Sequence, residues 1–390
     1  MMLLRLEALT ISGCAALQMF PRGKLPTTLK VLEIMGCEKL ESPPEGILMN
    51  NGDAYQVPQL ERLNILSCPC LKSFPSGQLP NSFKWLYIEN CKQLESPPQR
   101  MLQYCTELEG ISIYGGDMKS LSFEDMHGPT SLWIRNCDGL ESISLSISNL
   151  KELYISNCRN LESLPNKMHD LTSLVRLYIS NCPGIKCISD SGLPPNLTQL
   201  QIYGCIRIKS IPGDGLFPNL TDLEIVDCQG IESIPGRGFP SNLRSLIIGC
   251  KNLKKLMHEW GLNSLTSLLS LEIYCICPDL DVLPTSLTSL VVGKVENMKS
   301  IARGLLQNLN SLQDLAIEDC PTLQSLPKEG LPPLLFFLSF HFEEIGGAYR
   351  TADSNEIFLE TGRGKAIICG DITKLVLDCA SNANNKCNTV

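Results

Sequence analysis

The chain has 390 residues and a formal net charge of −8, with acidic and basic residues interspersed rather than blocked, so it lacks the basic footprint of a nucleic-acid binder and no nucleic-acid partner is expected. Apolar residues make up 43% of it, yet no stretch reaches the roughly 18 uninterrupted apolar residues that span a bilayer, and no membrane partner is expected either. The length suits two or three domains or one extended repeat array, and only pattern can choose between them.

The start, MMLLRLEALTISGC, contains an apolar run, but Arg5 and Glu7 interrupt it and no small-residue cleavage pattern follows. That speaks against a signal peptide and places the protein in the cytoplasm, with the nucleus as a second compartment.

From there the chain repeats. Aligned on cysteine, its copies follow L-x-x-L-x-I-x-x-C-x-x-L-x-S-[LIF]-P. The first position falls at Leu6, Leu29, Leu60, Phe83, Leu108, Pro129, Leu150, Leu174, Leu197, Leu220, Leu243, Leu268, Leu287, Leu312 and Leu335, usually 23 residues apart. Internal repetition on this scale signals stacked supersecondary units. The L-x-I core has period two, which in an extended chain puts both apolar side chains on one face, so each copy predicts one short strand. A single unit leaves its apolar face open above and below; stacking the copies buries it and adds one parallel strand per copy.

The template cysteines, Cys14, Cys37, Cys68, Cys91, Cys137, Cys158, Cys182, Cys205, Cys228, Cys250, Cys277 and Cys320, fall where the chain turns inward after the strand. A small, weakly hydrogen-bonding thiol suits that corner. Connections such as SDSGLPPNL, IPGDGLFPNL and IPGRGFPSNL favour turns and extended chain. Others, PNKMHDLTSL, HEWGLNSLTSL and IARGLLQNLNSL, suit short helical turns. The segment ILMNNGDAYQVP reads as a protruding loop. A repeat domain over 1–342 and a non-repeat tail over 343–390 are expected, with KAIICG and KLVLDC as weak strand candidates in the tail.

Copies such as LKELYISNCRNLESLP (Leu150–Pro165) and LTDLEIVDCQGIESIP (Leu220–Pro235) closely resemble the leucine-rich repeat. In particular they look like the repeat region of plant nucleotide-binding leucine-rich-repeat disease-resistance proteins of the coiled-coil class. The resemblance implies an α/β leucine-rich-repeat solenoid, a curved horseshoe with one parallel strand per repeat on its concave face and an irregular or short-helical convex side. It also implies recognition of a protein, either a pathogen effector or a guarded host protein, and restraint of a nucleotide-binding domain. No G-x-x-x-x-G-K-[ST] loop occurs here, ETGRGKAII being the nearest fragment, so nucleotide binding does not transfer. The first strand opens the chain without a polar cap, which suggests a fragment or a truncated relative.

No cofactor, metal or catalytic constellation is expected. Cys68-Pro-Cys70 and Cys275-Ile-Cys277 are not the C-x-x-C pairs of a zinc finger, and His127, His169, His258 and His341 lie far apart. No G-x-S-x-G elbow, H-E-x-x-H helix or kinase-like loop appears. Two sequons, at Asn196 and Asn219, favour secretion at face value; the plainer reading is an asparagine that follows the proline turn. A substrate adaptor for ubiquitin ligation and a secreted receptor ectodomain are the alternative functions.

Positions two, four and six after each first leucine face outward from the strand. Trp133, Tyr154 and Tyr178 occupy the middle lane in three consecutive copies, with Tyr87 earlier in the same lane. Trp85, Tyr114 and Tyr203 fall in the flanking lanes, and Arg135, Glu152 and Arg176 lie among them. Aromatics and arginine dominate binding hot spots, so these ten residues form the candidate protein-binding surface. Cross-strand packing that stiffens the sheet is the competing explanation.

Overall fold

A computed structural model of the chain describes residues 5–21, 23, 25–49, 58–188, 193–209, 217–232, 239–253, 260–274, 283–296, 298, 306–323, 332–341, 356–361 and 364–369. They fall in two compact units, Met1–Pro212 and Gly213–Val390.

In the first unit the strands are β1 (Ala8–Ser12), β2 (Val31–Met35), β3 (Arg62–Leu66), β4 (Trp85–Glu89), β5 (Gly110–Tyr114), β6 (Ser120–Met126), β7 (Ser131–Arg135), β8 (Ser142–Ile147), β9 (Glu152–Ser156), β10 (Arg176–Ser180) and β11 (Gln199–Tyr203). All but β6 and β8 pair in parallel, each with the strand of the next coil. The register keeps like with like: Leu132, Leu153, Leu177 and Leu200 share one column, and Ile134, Ile155, Ile179 and Ile202 the next. These side chains are essentially inaccessible to water, and each contributes about 1.5–3 kcal/mol of burial. In β1, by contrast, Leu9 and Ile11 are only half-buried and Cys14 is exposed, because no described coil covers that side.

Strands β4, β7, β9 and β10 end the same way. The residue just before the cysteine takes a left-handed conformation, as at Asn90 (φ 52°), Asn136 (φ 54°), Asn157 (φ 53°) and Asn181 (φ 51°). Asparagine tolerates this region better than most side chains. Its backbone N–H still bonds to the next coil, Asn136 to Ser156 O at 2.9 Å and Asn157 to Ser180 O at 2.8 Å, so the ladder runs one residue past the strand. The chain then turns inward and the cysteine is buried. Its sulfur donates to the carbonyl two residues back, at 3.3 Å for Cys137 to Arg135 O and 3.4 Å for Cys158 to Ser156 O.

In the second unit the strands are β12 (Asp222–Val226), β13 (Ser245–Gly249), β14 (Ser270–Tyr274), β15 (Ser289–Gly293), β16 (Asp314–Glu318), β17 (Phe337–His341), β18 (Glu356–Thr361) and β19 (Gly364–Cys369). Strands β12 to β17 pair in parallel in chain order. Strand β19, which overlaps the expected KAIICG, adds in parallel to β17, and β18, which was not anticipated, pairs antiparallel with β19. KLVLDC, most of ILMNNGDAYQVP and the glycine-rich parts of the proline connections lie outside the described residues.

On the far side of the coils, single 3-10 turns at Met168–Asp170, Leu262–Ser264 and Leu306–Asn308 occupy the segments expected to be short helical turns. One α-helical turn, α1, spans Gln99–Leu102. The exception is β6 with β8, a second two-stranded parallel sheet where irregular chain was expected. Its sequence alternates, as in SISLSI with every isoleucine and leucine buried and every serine exposed, which is a strand pattern in its own right.

Candidate functional site: an aromatic ladder on the strand face

The outward strand positions hold the candidate residues as the period-two pattern requires. Tyr154 and Tyr178 are half-exposed, and Ile155 and Ile179 occupy adjoining rungs beneath them.

The structure joins five of the aromatics into one run. Trp85 stacks on Trp133 (centroids 5.7 Å apart, planes at 25°), Trp133 meets Tyr154 (5.9 Å), Tyr154 meets Tyr178 (5.8 Å), and Tyr178 meets Tyr203 (5.6 Å). These separations fall in the attractive range for offset and tilted ring pairs. The run is diagonal: it starts in the first lane, follows the middle lane through three coils, and leaves through the third.

Its start depends on two small residues of β5. The middle lane there holds Ser112, which breaks the row between Tyr87 and Trp133. Trp85 bridges the gap by lying flat across Gly110, where a Cβ would collide with its ring carbons. The indole N–H donates to Glu109 Oε2 at 3.1 Å, which fixes the ring in that pose. Neither Gly110 nor Glu109 was singled out in the sequence, because a glycine at an outward position carries no chemical signal of its own.

Tyr87 and Tyr114 stand outside the run. The Tyr87 hydroxyl donates to Glu89 Oε2 at 2.7 Å; burial, then that carboxylate, push its pKa up to about 12. Arg176 pairs with Glu152 beside Tyr154, whose own hydroxyl is held above its usual range chiefly by burial, with Glu152 adding to it. Arg135 is exposed and has no ion pair with any described residue.

Along the edge of the strand face runs a groove of about 580 Å³, lined by Asn136, Asp138, Asn157, Arg159, Asn181, Pro183, Gly204 and Ile206. Asn157 Nδ2 donates to Asn136 Oδ1 at 2.7 Å. Asn181 leans over Gly204, whose positive φ of 61° and lack of a side chain leave room for the carboxamide. The sequon residue Asn196 donates its amide to Thr172 O at 2.8 Å, a coil-to-coil cap that agrees with the plainer reading of that motif.

The second unit presents a different strand face. Asp222, Glu224, Glu272, Asp314 and Glu318 occupy outward positions, and Tyr274 donates to Glu272 at 2.9 Å. Among the described residues no group of His, Cys, Asp and Glu is arranged to hold a metal ion, and no helix is long and apolar enough to cross a membrane.

No family model matches the chain. It is 31% identical over 351 residues to the putative disease resistance protein At3g14460 of Arabidopsis thaliana, covering 80% of this chain and 21% of that protein. It is 27% identical over 198 residues to the disease resistance protein RPP4 of the same plant, covering 43% of this chain and 16% of that one. The chain therefore spans about a fifth of these relatives' length or less. Among solved structures, YopM from Yersinia enterocolitica WA-314 matches 88% of this chain and 62% of its own at 24% identity, with a TM-score of 0.45. With its leucine and isoleucine columns, one parallel strand per coil, and sequence similarity over 80% of its length to a putative plant disease resistance protein, the chain is a leucine-rich-repeat protein of the kind found in plant disease-resistance proteins.

Proposed function

We propose that this chain is a non-enzymatic recognition module of plant innate immunity, acting in the cytoplasm, that binds a pathogen effector or a guarded host protein through the five-ring ladder. Its repeats, a single domain over 1–342 in this proposal, also restrain a nucleotide-binding domain. The ladder carries the reading: five large rings, held in place by Gly110, Glu109 and one another, offer wide contact area with little conformational freedom left to lose, which is what hot spots require. Sheet stiffening contributes as well, since the rings touch.

The experiment is to identify the partner by proximity labelling in the source tissue and measure its affinity for the purified parent and for Tyr154→Ala with Tyr178→Ala. The double variant is expected to bind at least about tenfold more weakly. Its stability should fall by about 0.5–1.5 kcal/mol for each ring pair lost, leaving the fold intact. Unchanged affinity in a folded double variant would remove the ladder from the interface.

A further inference from the structure

We propose that the ladder recognises an acidic protein segment, with a partner carboxylate seated on Arg135 beside the ring edges. This rests on the ladder being the recognition surface and adds the chemistry of what it takes.

Between β4 and β11 the carboxylates around the rings already have donors. Glu89 accepts from Tyr87, Glu109 from Trp85, and Glu152 from Arg176 and Ser131. The donors are not matched in the same way. Arg135 is exposed without an ion pair among the described residues, and so is Lys151, on the row bordering the strand face. A partner that supplied more cations would find the local acceptors committed; one that supplied carboxylates would meet open donors.

The rings point the same way. Trp133, Tyr154 and Tyr178 each have a ring neighbour on both sides. Trp133 is stacked on Trp85 and the other pairs are tilted against each other, so part of the negative ring face that would attract a partner's lysine or arginine is already taken up by a neighbouring ring. Arg135 lies two residues beyond Trp133 on the same strand, and its charge reaches the hydroxyls of both Tyr87 and Tyr154. Its planar fork suits a bidentate carboxylate. One row further, the carboxamide of Asn181 makes no side-chain hydrogen bond among the described residues and opens onto the edge groove. A carboxamide offers donors and an acceptor to a main chain passing through.

The test uses the full chain and three fluorescein-labelled decapeptides, alternating Glu with Leu, Gln with Leu, and Lys with Leu, followed by fluorescence anisotropy at low and high salt. The Glu peptide is expected to bind about tenfold or more tightly than the Gln peptide at low salt, with the advantage shrinking as salt screens it. Arg135→Gln should abolish that preference without shifting thermal unfolding. Equal binding of the Glu and Gln peptides, tighter binding of the Lys peptide, or no binding of any would overturn the proposal, as would a Glu preference that survives Arg135→Gln. Tyr154→Ala with Tyr178→Ala separates the two readings. If it weakens all three peptides alike and no Glu preference exists, the ladder stands and the acidic assignment falls. If the Glu preference needs Arg135 but not the rings, the acidic anchor stands and the ladder falls.

Discussion

At the ends of β4, β7, β9 and β10 an asparagine lets the chain leave the sheet and turn toward its core. At Asn90 the backbone is left-handed and its N–H bonds to Tyr114 O at 2.8 Å, so the residue serves two coils at once. A β-branched side chain there clashes with the local backbone. Asn90→Val is expected to cost about 1–3 kcal/mol, whereas Asn90→Gly, free of that clash, should stay within about 1 kcal/mol of the parent; urea denaturation of the two variants distinguishes them, and equal losses would show that the backbone conformation is not what matters. Gly110 makes the complementary case for a missing side chain. Gly110→Ala pushes the Trp85 ring off β5, so the near-ultraviolet circular dichroism of the Trp85 and Trp133 pair should collapse, with about 1–3 kcal/mol of stability lost to overpacking. An unchanged aromatic spectrum would mean that Trp85 does not need that surface.

Strand and corner together make an element whose chemistry exceeds its parts. Successive thiols stack behind the sheet: burial lifts the pKa of Cys91 and Cys205 to about 12, and Cys158 reaches a similar value mainly through hydrogen bonding with Cys137. In the unfolded chain such thiols ionise near 9.0. Raised pKa values mean that the folded state holds these protons more tightly, so the stability they contribute is intact below about pH 9 and is lost as pH rises toward 12. Each such thiol removes up to about 1.4 kcal/mol per pH unit across that window. Urea midpoints should fall steadily above about pH 9, and Cys158→Ala should flatten the fall; an identical slope in that variant would contradict the assignment. The sequence made this element legible because Leu153, Ile155 and Cys158 recur at fixed spacing. It hid the left-handed Asn157, whose role is conformational rather than chemical, and it hid β6 and β8, whose alternating serines sit in a segment where the template predicts only a connection. The ladder was half legible: period two placed its rings outward, but the lean of Trp85 across lanes follows from what β5 lacks.

At the scale of the whole molecule, the described strands of the parallel array in each unit contact the strands next to them in that unit's stack. Stability in such an array is a sum of unit terms and nearest-neighbour terms rather than the property of one shared core. Damage should therefore stay near its origin. Leu177 is 1% exposed, between Leu153 and Leu200 in its column, and an aspartate there would bring an unpaired carboxylate into an apolar column at a cost of several kcal/mol. Leu177→Asp should open the coils that carry β9, β10 and β11. Hydrogen exchange followed by mass spectrometry is expected to show their backbone amides losing protection while those of β14, β15 and β16, which belong to the second unit, keep theirs. Uniform loss of protection over both sets would mean that the chain unfolds as one cooperative body, and the nearest-neighbour account would fail; protection kept in β10 itself would show that Leu177 does not face the core.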